Sequence, residues 1–241
     1  MPVLVTIDDL GMSRAVNEAA TACLSRGSVG CLSILATGDR FGEAAELAAV
    51  SGVPLSVHLN CIEPPFLTRG YTPPGSMVSW VTGSRSMRPA VQAEWREQIE
   101  KALASGLMIT RLDSHRHMHH LPGLDDAVLD LAREYGIGSV RSAILPDRWS
   151  RPSGLYLDVL GRRFARKASR AGVGTPAAML GFSRSGRVTI DYLLRWGDRL
   201  PVGSETELVT HPATVPVWSD GQPEELELLL SDGFTRWMEG R

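Results

Sequence analysis

Cysteine is scarce in this chain, with three in 241 residues. Cys23, Cys31 and Cys61 are odd in number and show no CxxC spacing. That argues against a disulfide framework or a thiolate zinc site and suits a reducing cytoplasm. Cys61 stands near a histidine motif, but a free cysteine is more often a small buried residue than a ligand. A surplus of one charge is missing too. The formal net charge of −2 gives no sign of a nucleic-acid or anionic-membrane partner. No apolar run approaches the ~20 residues of a membrane span, and Met1 leads straight into a strand-like segment, with no secretory pattern visible. GxSxG, P-loop and GxGxxG motifs are also absent, so the chemistries they serve gain no support. What remains is an ordinary soluble composition, 43% hydrophobic and 22% charged, long enough to bury a sizeable core.

Histidine is unevenly spread. Four of the six lie in one run, Arg111-Leu-Asp-Ser-His-Arg-His-Met-His-His120. On an extended strand alternate residues share a face, so Asp113, His115, His117 and His119 are expected to line one side and aim at one spot. The remaining two are His58, in Val57-His-Leu-Asn60, and His211, in Thr210-His-Pro212. Each ends an apolar stretch. Imidazole and carboxylate together ligate first-row divalent ions and also serve as general acids and bases.

The rest of the chain alternates strand-like and helix-like segments. Pro2 to Ile7 reads as a buried strand ending in Asp8-Asp9. Ser13 is a helix cap, and Gly27 a stop. A second strand is expected at 29–36, a helix at 40–50 and a third strand at 54–59. Glu63 to Gly83, rich in Pro and Gly, is expected to be a long functional loop. Then follow a helix at 90–104, a strand at 108–113, a helix at 124–135, a strand at 139–145 and a basic helix at 155–171. Its charge run reads as a solvated face. A strand at 177–182, a helix at 190–200, a strand at 205–210 and one last helix from Pro223 to about Met238 complete the chain. This rhythm implies a mostly parallel α/β sheet or barrel in one domain, 1–241. Asp8-Asp9, His58, Asp113-His115 and His211 all fall at carboxyl ends of expected strands, the edge where such folds build active sites.

Each feature has a plainer explanation: a turn for Asp8-Asp9, a hydrogen-bonded sheet-edge residue for His58, a solvated strand for the histidine run. Their convergence on one rim argues otherwise, because several polar groups are costly to bury without partners. One carboxylate and two imidazoles make a metal site with open positions, able to polarise a carbonyl and acidify a water. A second carboxylate can take the proton from that water, and a second histidine can protonate the departing group. This is equipment for hydrolysing an amide or ester.

These residues also fall into the pattern of a known family. Ile7-Asp-Asp-Leu-Gly-Met-Ser13 with Asn17, Val57-His-Leu-Asn-Cys-Ile-Glu63, Arg111-Leu-Asp-Ser-His-Arg-His-Met-His119, Ser185-Gly-Arg-Val-Thr189 and Glu207-Leu-Val-Thr-His-Pro-Ala213 follow in order along nearly the whole chain. The chain thereby resembles the YdjC-like carbohydrate deacetylases, which include chitooligosaccharide and hopanoid-associated deacetylases. The resemblance implies a distorted (β/α) barrel, often a homodimer, that removes the N-acetyl group from an acetylated amino sugar with one divalent metal ion, magnesium or zinc. It assigns the metal to Asp9, His58 and His115, with His119 on the same expected strand face as the alternative to His115, the general base to Asp8 and the acid to His211. Asp113, His117 and His119, with Glu63 and Arg187, are supporting or substrate-contacting candidates. Leu10, Arg111 and Ala213 depart from the family pattern but touch none of the five assigned residues. The stretches 63–83 and 146–189, where sugar recognition should reside, look short for the family. Trp80, Trp149 and Trp218 are candidates for stacking on a sugar, against core or dimer packing.

The reading is therefore a metal-dependent deacetylase acting on an oligosaccharide or glycolipid through metal-activated water. Two alternatives stand beside it: a metal hydrolase of another amide or a (phospho)ester, and a sugar-binding protein without catalysis.

Overall fold

The computed structural model describes residues 3–241. Seven strands, all parallel, form one curled sheet, a half-barrel with helices outside it. In chain order they are β1 (Val3–Leu10), β2 (Cys31–Ile34), β3 (Leu55–Leu59), β4 (Ile109–Ser114), β5 (Ser139–Val140), β6 (Ala178–Leu180) and β7 (Thr206–Thr210). Their order across the sheet is β5-β4-β3-β2-β1-β7-β6. Pro2, where the sequence reading began the first strand, lies outside the described residues. Strands β2, β3 and β7 are buried at every position, as a parallel sheet covered on both faces demands. The register sets His58 on β3 beside Asp113 on β4, and Ile7 on β1 beside Thr210 on β7. Both pairs mark the carboxyl edge of the sheet.

The edges β5 and β6 approach each other without a full ladder. Ser139 bridges to Gly174, and the Met179 amide donates to the Ile144 carbonyl at 2.8 Å. The expected strand at 139–145 stops at Val140 because side chains take over its backbone groups. The Ala143 amide donates to His120 Nε2 at 2.9 Å, and the Leu145 amide to Asp158 Oδ1 at 2.8 Å.

Helices α1 (Arg14–Arg26), α2 (Phe41–Val50), α4 (Leu124–Glu134), α5 (Pro152–Arg170) and α6 (Ile190–Gly197) lie close to expectation. Ser13 caps α1 by accepting from the Val16 amide, and Gly27 closes it in the left-handed region. Two elements differ. Helix α3 runs Met77–Ala104, through Gly83 and Pro89, so the expected loop is shorter by its last turns. Trp80 is the reason: its ring is wholly buried, and that packing outweighs the local breakers. The last helix is two, α7 (Gln222–Leu230) and α8 (Asp232–Glu239). Ser231 separates them and caps the second, accepting from the Phe234 amide at 3.1 Å.

Candidate active site

The histidine run does not continue as a strand. β4 ends at Ser114, and Arg116 (φ 53°) and His117 (φ 55°) are both left-handed. Two adjacent non-glycine residues in that region are strained, and they coil the chain so that His115 parts from His117, His119 and His120, whose rings lie near one another. The expected row along one face is thus overturned. His115 turns toward β1 and β3. His119 turns inward, with Nδ1 2.6 Å from Ser114 Oγ and Nε2 2.9 Å from the Arg141 carbonyl. The carbonyl can only accept, so the Nε2–H donates and Nδ1 accepts from the serine. His120 is held by the Ala143 amide and packs on Phe164. His117 lies against Phe182, its Nδ1 buried without a partner among the described residues.

The residues that meet come from three strand ends. Asp9 sits where the β1–β2 register shifts, itself left-handed at φ 61°, so the adjacent Asp8 and Asp9 face different neighbours. Asp9 Oδ1 is 3.3 Å from His58 Nε2 and 3.1 Å from His115 Nδ1, and those two nitrogens are 3.3 Å apart. Donor atoms about 3.0–3.5 Å apart are what a cation bound at about 2.1 Å needs on one coordination face. The second oxygen of Asp9 accepts from Trp218 Nε1 at 3.2 Å. Burial alone would raise the Asp9 carboxyl, but the imidazoles of His115 and His58 reverse this and hold it well below the usual carboxylate range.

Behind this trio lies a residue that the sequence reading did not single out. Arg141 is 1% exposed and grips both oxygens of Asp8, at 2.7 and 2.8 Å. It also reaches Glu207 at 2.8 Å and Asp113 at 3.3 Å. Burial would lower its guanidinium, yet Asp113, Asp8 and Glu207 keep it well above its ordinary value. The signal was present, since a charge inside an apolar strand-like segment needs buried partners.

Asp113 accepts from Ser33 and Ser56 and lies 2.5 Å from His58 Nδ1. It fixes that ring so that Nε2 faces Asp9. Burial opposes ionisation of Asp113, but Arg141 and His58 push its carboxyl far down. Burial likewise opposes the charge on His58, and Asp8 and Asp113 raise it well above 6.5.

Three buried acids, Asp8, Asp113 and Glu207, surround one guanidinium, and a fourth, Asp9, faces the imidazoles of His58 and His115. An excess of buried acid around a nitrogen-and-oxygen donor face fits a divalent cation, which would offset it.

At the rim, His211 Nε2 is 3.9 Å from Asp8 Oδ2, and its Nδ1 has no partner among the described residues. Burial lowers this imidazole, against the pull of Asp8 and Asp9. Its amide donates to Glu225 at 2.7 Å, and its ring stands edge-on to Trp218. Burial pushes the Glu225 carboxyl up to about 8, although the amides of Val188 and His211 work against that shift. Glu63 reaches His115 Nε2 at 3.3 Å and Arg116 at 2.5 Å, beside a cleft lined by Thr37, Asn60 and Pro64.

The other candidates lie elsewhere. Arg187 is exposed and makes no ion pair among the described residues. Of the three tryptophans Trp218 alone borders the trio; Trp80 is core and Trp149 is 72% exposed. Cys61 is buried in the core, as are Cys23 and Cys31.

Residues 2–240 match the YdjC-like protein family. A carbohydrate deacetylase of Mus musculus is 28% identical over 213 residues, covering 81% of this chain and 64% of the mouse protein. The chain thus spans less than two thirds of that relative's length. A carbohydrate deacetylase of Geobacillus stearothermophilus is 28% identical, covering 89% of this chain and 80% of the relative. In fold, the chain is similar to an Enterococcus faecalis protein to which cellobiose-phosphate cleavage has been ascribed, with TM-score 0.81, 23% identity and coverage of 100% and 94%. It is also similar, at TM-score 0.53 and 10% identity, to a family 4 carbohydrate esterase of Streptomyces lividans, with coverage of 99% and 88%.

Proposed function

The chain belongs to the YdjC-like family, and on that premise we propose that it is a metal-dependent carbohydrate deacetylase that removes an N-acetyl group from an amino sugar. One observation carries the reading: the three-donor face of Asp9, His58 and His115, at 3.1–3.3 Å spacing, has an acidic and an imidazole side chain beside it. Those three residues would hold the ion, and two nitrogens with one oxygen suit zinc better than magnesium. A divalent cation there supplies Lewis acidity toward the amide carbonyl and acidifies a water.

The chain's own residues do the rest. Asp8 accepts the proton of the attacking water, and Arg141 keeps both its oxygens in place. One guanidinium divided among Asp8, Asp113 and Glu207 orients Asp8 without claiming all of its acceptor capacity. His211, 3.9 Å from Asp8, donates a proton to the amine as the C–N bond breaks. Asp113 holds His58, Trp218 holds Asp9, and Glu63 and Arg116 shape the open side of the cleft. The sugar is an oligosaccharide or glycolipid residue with an exposed acetamide.

The test is acetate release from a panel of N-acetylglucosamine-containing substrates. EDTA-treated, metal-restored and Asp8→Asn proteins are compared side by side. Metal-dependent release that falls by about 10²–10⁴ in Asp8→Asn is expected. Release that survives both treatments overturns the assignment of base and metal. Metal binding without acetate release from any substrate moves the reading to another amide or ester bond.

A further inference from the structure

The net charge of −2 conceals a strong local asymmetry. Residues 148–170 carry seven Arg or Lys and one Asp. This stretch is helix α5 with the turn before it, and its inner face is fixed. Gly161 lies so close to the barrel that a Cβ there would stand 2.3 Å from the Ala143 carbonyl oxygen. Phe164, Leu160 and Leu157 are buried beside it. The face that remains is therefore the outer one, and it is divided along its length.

Its amino-terminal half is apolar and uncovered. Trp149 is 72% exposed, Val159 58%, Tyr156 46% and Leu155 38%. The spacing 152, 155, 156, 159, 162, 166, 170 continues the same stripe into the basic half. There Arg162 pairs with Asp158, and Arg163 and Lys167 pair with Asp125. Arg166 and Arg170 have no carboxylate partner among the described residues, and neither does Arg151. A charge run that was only a solvated face would not explain four uncovered apolar side chains at its end.

We infer that this face of α5, with Trp149, docks the protein on the surface of an anionic membrane. Tryptophan and tyrosine favour the boundary between headgroups and acyl chains, where one edge of the ring is wet and the body is apolar. Unpaired arginines beside them match anionic headgroups. The charge argues against a second copy of the chain, since the same stripe on a partner carries one Asp, already paired with Arg162, and brings no carboxylate for Arg151, Arg166 or Arg170. The segment carrying Trp149 follows the carboxyl edge of β5, so the apolar half lies toward the rim that holds the candidate site. The inference goes beyond the proposed reaction and stands without it. It concerns surface attachment, not a span, and no helix among the described residues is long and apolar enough to cross a membrane.

The experiment is co-sedimentation of the full chain with vesicles of phosphatidylcholine containing phosphatidylglycerol, against pure phosphatidylcholine. Binding to the anionic vesicles alone, released by high salt, is expected. The double substitution Arg166→Gln with Arg170→Gln should lower the partition coefficient roughly thirtyfold, at about fivefold per cation. Trp149 emission should shift to the blue on binding, and Trp149→Phe should abolish that shift. All three positions are exposed, and unchanged thermal unfolding of the variants keeps a loss of binding distinct from misfolding. Equal binding to both vesicle types, no binding to either, or a double variant equal to the wild type overturns the proposal. So does a dimer in sedimentation equilibrium that Val159→Glu dissolves, which would make this face an interface between copies.

Discussion

His115 and His119 stand four residues apart in one run, yet the fold gives them opposite environments. His115 offers Nδ1 to a cleft shared with Asp9 and His58, and its imidazole is raised above 6.5: burial opposes this, but Asp9 and Glu63 outweigh it. His119 has both nitrogens engaged, by Ser114 and by the Arg141 carbonyl, and burial lowers it to about 3. What separates them is the left-handed pair Arg116-His117, which breaks strand periodicity between the two rings. A histidine's role is set by which of its nitrogens is left free, and that depends on partners distant in sequence. His115 takes Asp9, 106 residues away, whereas His119 takes the backbone of Arg141.

The largest expected effect tests this contrast directly. His115→Ala should lower metal affinity and acetate release by more than about 100-fold, beyond the 10–100-fold usual for a residue that only supports a ligand. His119→Ala should keep the metal. Chelator competition and turnover on both variants decide it, and the reverse ranking would exchange the two roles.

Stability should divide the other way. His119→Ala empties a buried site and strands two hydrogen-bonding groups, so urea unfolding should show a loss of about 2–4 kcal/mol. His115→Ala, at the cleft, should cost no more than about 1 kcal/mol. Equal losses in the two variants would erase the distinction between a structural and a cleft-facing imidazole.

The smallest effect, taken per pH unit, is in pH. His119 has a depressed value in the folded protein, so below about 6.5 the unfolded chain takes up a proton that the native protein refuses. Its contribution to stability is present above pH 6.5 and is lost as the pH falls toward about 3. His119→Phe removes this titration. The stability difference between wild type and variant should therefore shrink by up to the order of 1 kcal/mol per pH unit across that window. A difference that stays constant with pH would mean that His119 is not held neutral.

Much of the site was legible before any coordinates. Asp8, Asp9, His58, His115 and His211 could be singled out because residues at the carboxyl ends of parallel strands share a rim, however far apart in sequence. Arg141 was not singled out: a charge in an apolar segment signals that it needs buried partners, but not that they are Asp8, Asp113 and Glu207. Glu225 was missed likewise, although its carboxyl holds the amides of His211 and Val188. Neither lies in the motifs that drew attention to the rim; among the partners of Arg141, Glu207 does, in the last of them. For α3, the loop was expected to end at Gly83 and the helix to begin at 90, but burial of Trp80 carried the helix through Gly83 and Pro89 from Met77.

The sequence by itself determined the alternation of strands and helices, the parallel sheet and the edge on which the polar groups gather. Those follow from local periodicity and from the pairing rules of buried strands. Tertiary structure alone decided where His117, His119 and His120 turn, which acid is gripped by arginine, and where the strand at 139–145 gives way to side-chain partners. Each of these is a choice among hydrogen-bonding groups from distant segments, and buried polar atoms take whichever partners the packed fold brings within reach.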